Sequence, residues 1–264
     1  MTRNSLCVLF FLCVLVTCTS SKVKTDLPKE NSSDAQDAVL LLEIINKINN
    51  NSPETFSASF ETDGNMGTKK FKLSGTAFYD KKSEKFLMNF SDFIFKSQLS
   101  SFLRNGKNIE VYYIPENKIV LDSSDTIQIK NYVPIDIDFY IIYQLLTSRI
   151  PILENYSVYQ TKKEDNRSFV VLQNNIWYQT IAFNSDEPER IKFTNKNTAQ
   201  EIEIYLRSPL KQNDSRYYRR INIVIKDVSI ALNINTSWVS LNKPVNIRNS
   251  LHKPGLSVTN LRGR

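Results

Sequence analysis

From Thr55 to about Ile234 apolar and polar residues alternate with a period of two. A chain written this way folds into strands that present one greasy face and one wet face. Phe56, Ala58 and Phe60 alternate with Ser57 and Ser59, and Phe71, Leu73, Ala77 and Tyr79 with Lys70, Lys72, Ser74 and Thr76. Phe86, Met88 and Phe90 follow, then Phe93, Phe95 and Leu99, then Ile109, Val111 and Tyr113. Asn105-Gly106 predicts a type I′ hairpin between two of these strands, and Pro115-Glu116-Asn117 turns the chain into Ile119–Leu121. Further strands are predicted at about 154–161, 168–173, 176–183, 189–194 and 200–207, with two more carried by Ile221, Ile223 and Ile225 and by Ile230, Leu232 and Ile234.

Two segments depart from that period. Ala38, Leu41, Leu42, Ile45 and Ile48 have helical spacing after a Ser33–Gln36 capping box, which predicts a helix over 34–50. Ile137, Tyr140, Ile141, Leu145 and Leu146 predict a second helix within 134–149, closed by Pro151 and opened by Asp136 and Asp138 as first-turn residues. A sheet of many antiparallel strands must hide its apolar face by closing into a barrel, by pairing into a sandwich, or by curving under these helices. The expected lining is Phe56, Phe60, Phe71, Leu73, Tyr79, Phe86, Met88, Phe90, Phe93, Phe95, Val111 and Tyr113. In a half-barrel these side chains make either a cleft wide enough for an acyl chain or a packed core, and the pattern leaves both open.

The N-terminus adds an address. Arg3 precedes an apolar run from Leu6 to Val16, the signature of a secretory signal peptide over residues 1–17 and too short to span a bilayer. The string Leu15-Val16-Thr17-Cys18 resembles the lipobox of bacterial lipoproteins, although Thr17 stands where Gly, Ala or Ser is usual. That resemblance implies acylation, for instance by palmitate, of Cys18 as the first mature residue. Residues 18–33 are polar and read as a tether of roughly 20 Å. The three cysteines are Cys7, Cys13 and Cys18, so the exported domain has no disulfide and no thiolate. His252 is the sole histidine. Catalytic triads, His-ligated zinc and thiolate metal sites therefore lack material, and no catalytic residue, metal or cofactor is assigned. Removing Arg3 with the signal takes the charge from +7 to +6, which suits an anionic membrane surface, while export argues against nucleic acid. One domain over 34–242 is expected, followed by a basic tail over 243–264 read as a solvated terminus.

The order of elements, and the phrase F-S-A-S-F at Phe56–Phe60, S-G-T-x-x-x-D-x-K from Ser74 and N-G-K-x-x-x-x-Y from Asn105, resemble the LolA/LolB-like lipoprotein carriers and receptors. The resemblance covers about 34–242 with short motifs. It implies a mainly β (α+β) fold, an unclosed antiparallel β half-barrel with N-terminal and central helices over its concave face. It further implies a cavity for the acyl chains of lipoproteins, and no enzyme. Carriers of this kind are soluble, whereas the receptor form is an outer-membrane lipoprotein. Cys18 points to the receptor-like form, lipid-anchored in the envelope with its domain in the periplasm, and a monomer is expected. Two departures bear on mechanism. The turn that in carriers holds an Arg clasping the lid reads Asp80-Lys81-Lys82-Ser83-Glu84, and the protruding apolar loop of the receptor form has only Ile150-Pro151-Ile152-Leu153 as a candidate, which also fits a buried helix-to-strand corner. The alternative function is a surface-exposed interaction or adhesion module without a lipid cavity.

Overall fold

The computed structural model describes residues 35–125, 127, 139–164, 166–226 and 229–262. Helix α1 (Ala35–Asn50) precedes β1 (Thr55–Met66), β2 (Lys69–Asp80), β3 (Lys85–Asp92), β4 (Gln98–Asn105), β5 (Asn108–Tyr113) and β6 (Lys118–Ser123). Helix α2 (Phe139–Leu146) leads to β7 (Ser157–Glu164), β8 (Arg167–Gln173), β9 (Trp177–Asn184), β10 (Glu187–Asn195), β11 (Glu201–Gln212), β12 (Ser215–Ile225), β13 (Ile230–Leu241) and β14 (Ser257–Asn260). All fourteen strands form one open sheet, ordered β14-β6-β5-β4-β3-β2-β1-β13-β12-β11-β10-β9-β8-β7. It is two antiparallel meanders, β1–β6 and β7–β13, sewn together by β1 against β13, with Phe56 opposite Leu241 and Met66 opposite Ile230. The expected mainly β half-barrel with two helices is the observed architecture. Cys18, the tether, Ser33, Asp136 and Asp138 lie outside the described residues.

Period two becomes curvature through pairing. Along β1 the buried residues alternate strictly, Phe56, Ala58, Phe60 and Thr62 facing inward. Their partners on β2 are Tyr79, Ala77, Gly75 and Leu73, and Phe86, Met88 and Phe90 continue the same face on β3. Bulges at Ser59/Phe60, Phe90/Ser91, Val158/Gln160 and Pro188/Arg190 bend the strands and increase their twist. Large rings on the concave side need room, which Gly75 supplies: a Cβ there would stand 2.4 Å from the Phe60 ring and 2.6 Å from the Asn89 carbonyl oxygen. The hairpin at Asn105-Gly106 forms as expected, but only Gly106 of that turn has a positive φ, 57°, so the two-residue loop is Gly106-Lys107 with Gly first, as a II′ turn requires, and not I′.

The helices divide the concave face. Ala38, Leu41, Ile45 and Ile48 of α1 are buried, the last three packing on the β8–β12 half among Ile181, Ile202 and Ile223. Helix α2, described from Phe139 to Leu146, straddles the seam: Ile141 and Leu145 join that cluster, and Phe139, Tyr143 and Leu146 join the Phe-rich one over β1–β5. Ile150-Pro151-Ile152-Leu153 is the buried corner and not a protruding loop, since Ile150 and Leu153 are buried. Side-chain amides satisfy its backbone. Asn49 both accepts from Ile150 N–H and donates to its carbonyl, and Gln179 accepts from Leu153 N–H and donates to Pro151 carbonyl.

Two expectations need correcting. The described part of the basic tail, residues 243–262, is not a solvated terminus. Ile247 and Leu251 are buried against Leu87, Leu103 and Ile119 on the convex face, and β14 adds a parallel strand beside β6. The consecutive apolar residues Phe86-Leu87-Met88 and Ile119-Val120-Leu121 are the sign of strands covered on both faces. Nor do Phe93 and Phe95 continue a strand. β3 ends at Asp92, whose carboxylate accepts from the backbone N–H of Ile94 and Phe95 at 2.9 and 2.7 Å, an Asx-type turn that swings the chain out of the sheet.

On the opposite face from Ile202 and Ile204, Glu203 anchors a charge cluster. Burial pushes its carboxyl pKa up, but hydrogen bonds from Tyr205 (2.5 Å) and Lys226 (2.9 Å) and the charge of Arg190 outweigh this and hold it at about 2, against an ordinary 4.5. A carboxylate depressed in the folded state stabilises fully above its unfolded pKa and loses that contribution as pH falls. Glu203→Gln should therefore lower the melting temperature at pH 7 and flatten the loss of stability between pH 4.5 and about 2, read by thermal melts across that range. Gly75→Ala should destabilise by about 1–3 kcal/mol in urea unfolding, because both neighbours of the new methyl belong to the packed sheet.

Candidate functional site

The concave face of the Phe-rich half is the expected site. Phe56 packs on Tyr79 with ring centroids 5.4 Å apart and on Tyr217 at 5.3 Å, while Phe86 meets Tyr143 of α2 at 6.0 Å edge to face. Of the twelve side chains assigned to this lining, Phe56, Phe60, Tyr79, Phe86, Met88 and Val111 are buried and Phe71, Leu73, Phe90, Phe93 and Tyr113 half-buried. Phe95 is 78 % exposed and lines nothing. The greasy cleft is correspondingly small: the space left under α2 is a cavity of about 20 Å³, room for about one water. Ligand cavities begin at roughly 300 Å³. In this state the aromatic face is a filled core.

Only Phe60, Phe86 and Met88 of the expected lining border that cavity; they are joined by Ala77 of β2, and by residues of α2 and of the other meander, including Leu145, Leu146, Tyr217 and Ile234. Strand periodicity could assign these to inward faces, but not across the β1–β13 seam, because that seam is a pairing of residues nearly two hundred positions apart in sequence.

Two arginines brace α2. The Arg104 guanidinium lies 4.2 Å over the Tyr143 ring. Arg149, just beyond the helix, donates to Ser52 Oγ and to the Tyr79 hydroxyl, both at 3.3 Å. Burial, then neighbouring Tyr143, pushes the Tyr79 pKa up, so Tyr79 remains a neutral phenol at any physiological pH. The turn after β2 carries no such role: Asp80 accepts from Lys82 and Ser83 N–H, and the Ser83 hydroxyl holds the Asp80 carboxyl below its ordinary value.

At the far end of the same half, the turn after β3 stands out from the sheet. Ile94 is 76 % exposed beside Phe95, and Lys72 and Lys96 cover the Phe93 ring at 3.7 and 4.6 Å. Lys69 and Lys70 are exposed at the same end of the sheet. An apolar tip ringed by cations is the only place where this chain exposes two adjacent large hydrophobes at three-quarters of their area, among the described residues.

This architecture has counterparts among solved structures. A domain from Vibrio parahaemolyticus described as an outer-membrane lipoprotein-sorting protein superposes with a TM-score of 0.61 at 10 % identity, over 81 % of this chain and 95 % of that one. A LolA superfamily protein from Nitrosomonas europaea matches with a TM-score of 0.54 at 9 % identity, over 78 % and 94 %. The fold is LolA-like. A DUF1329 family protein from Desulfovibrio piger shares it with a TM-score of 0.57 at 11 % identity, over 81 % and 96 %. No family profile and no curated protein sequence matches the chain. Arg104 and Arg149 contact Tyr143 of α2, Ser52 and Tyr79, pairings that no local sequence pattern signals. No helix among the described residues is long and apolar enough to cross a membrane.

Phe86 sits between the sheet, Tyr79 and α2. Phe86→Ala should cost about 3–5 kcal/mol in urea unfolding and enlarge the cavity, so that an apolar dye binds more tightly than it does to the parent protein.

Proposed function

We propose that this protein is a lipid-anchored component of the bacterial envelope, held by Cys18 at the outer membrane with its domain in the periplasm, that takes up acyl chains, chiefly those of lipoproteins, under α2. It acts by binding and transfer, not by catalysis. The observation that carries this reading is the exposed Ile94-Phe95 tip, ringed by lysines, at the rim of an apolar half-barrel. Apolar side chains with flanking cations suit an anionic lipid surface, each doing what the other cannot: one buries area, the other binds headgroup charge. Helix α2 fits the role of a displaceable plug. Its described residues pack on the two clusters it bridges, so its order depends on those tertiary contacts. Moving it would expose Phe86 and Phe102, which pack on Tyr143 and Phe139 of the helix, to an incoming chain. The twelve residues assigned to the lining are in this reading chain-contacting only in the opened state, Phe95 and Phe93 excepted, which belong to the membrane tip.

The filled interior favours a second reading, in which the same scaffold is a surface-exposed interaction module that never opens. Two measurements separate them. Displacement of a bound fluorescent fatty acid, with depletion that mislocalises other lipoproteins, supports the first; cleavage by protease added to intact cells, with no fatty-acid binding, supports the second. Ile94→Asp with Phe95→Asp should reduce binding to anionic liposomes about tenfold or more while leaving the melting temperature within a few degrees, since neither side chain is buried.

A further inference from the structure

Helix α2 separates the small apolar cavity from a second, wetter space. An open groove of about 280 Å³ lies at the end of the half-barrel opposite the apolar tip, between the last turn of α1 and α2, lined by Asn49, Asn50, Lys81, Tyr140, Gln144 and Arg149. Its charge is unbalanced. The Lys81 ammonium is met by Glu54 at 2.7 Å. Arg149 is half-buried and meets no carboxylate among the described residues: its hydrogen bonds go to two hydroxyls, Ser52 Oγ and Tyr79 OH, each at the long distance of 3.3 Å. A guanidinium presents five donors in a flat fork shaped for carboxylate or phosphate oxygens. Elsewhere the half-buried arginines are met by acids: Arg216 reaches Glu187 at 3.2 Å, and Arg104 reaches Glu84 at 3.9 Å. The exposed Asn50 supplies a further amide to the groove wall.

We infer that this groove is an anion site for a phosphate group, with Arg149 as the principal ligand and Lys81 as a second cation that shares its charge between the phosphate and Glu54. Tyr79 links the two compartments: its hydroxyl meets Arg149 while its ring packs on Phe56 and Phe86. A phosphate seated on Arg149 is therefore one side chain away from the aromatic face, which places the headgroup of a phospholipid in the groove when its chain lies under α2. That lipid source rests on the acyl-chain reading; the phosphate site itself does not.

The test titrates the full-length protein in detergent with inorganic phosphate, with a short-chain phosphatidic acid and with the neutral monoacylglycerol of the same chain, following chemical shifts of the Arg149 and Asn50 side chains. Arg149→Gln should weaken inorganic phosphate and phosphatidic acid by about tenfold or more, the range of a lost charge-assisted contact, a loss well beyond any change in the monoacylglycerol. Arg149→Lys, which keeps the charge and the fold but loses the fork, should recover only part. Arg220→Gln, an exposed cation on β12, is the control and should change nothing. Phosphate binding without any lipid binding would sustain the anion site and sink the acyl-chain reading. Lipid binding that is indifferent to Arg149→Gln, with no phosphate shift at Arg149 or Asn50, would overturn the anion site and leave the acyl-chain reading standing. An equal loss in Arg220→Gln would reduce the effect to general surface charge and also overturn it.

Discussion

The pairing of β1 with β13 is the constraint on which the rest depends. Each meander is built from neighbouring hairpins and could nucleate locally, but neither can cover its own apolar face. Zipping Phe56–Met66 against Ile230–Leu241 joins them into one curved surface, and only then does α2 find both clusters it bridges. Contacts between residues so far apart in sequence carry a large loop-closure entropy, so the seam is expected to form late and to govern the folding rate. The edges are managed differently. On the first meander β14 caps β6, while β7 carries Lys162, Lys163 and Glu164 along its open edge.

A half-barrel with a helix laid over its seam sits between two uses. The rings of Phe56, Tyr79, Phe86, Phe102, Phe139 and Tyr143 interlock edge to face and by stacking, which favours a dry, filled interior. The outer face of α2 is exposed at Tyr140, and around it Arg104 lies over the Tyr143 ring and Arg149 reaches the Tyr79 hydroxyl at the long distance of 3.3 Å. On the reading proposed above, such contacts are ones a displaceable plug could exchange. The stiffest charge network, around Glu203 and Glu201, lies on the opposite face of the far meander, where it holds the scaffold without touching the plug.

How much was legible beforehand follows from physics at each position. Alternation placed β1–β3 and β11–β13 because one face is wet, and it placed α1 because its stripe is clean. It misjudged Phe93 and Phe95, since an apolar residue in an alternating register looks the same whether it enters a sheet or a turn; the Asx turn of Asp92 decided that. It misread 243–264, because a covering segment with irregular spacing has no period to detect, although Leu87 and Ile119 already hinted at a covered convex face. The arginines bracing α2 were out of reach: Arg104 lies on a strand and Arg149 in a corner, and nothing local says that both converge on one tyrosine pair.

Sequence alone therefore determined the strands, the long helix and the exclusion of thiol and histidine chemistry, because these depend on local period and on which residue types exist. Tertiary structure decided that the aromatic face is packed among the described residues, where the apolar tip emerges, and which half-buried arginine meets no carboxylate among them. Those depend on volumes and distances between residues that the chain brings together only when β1 meets β13.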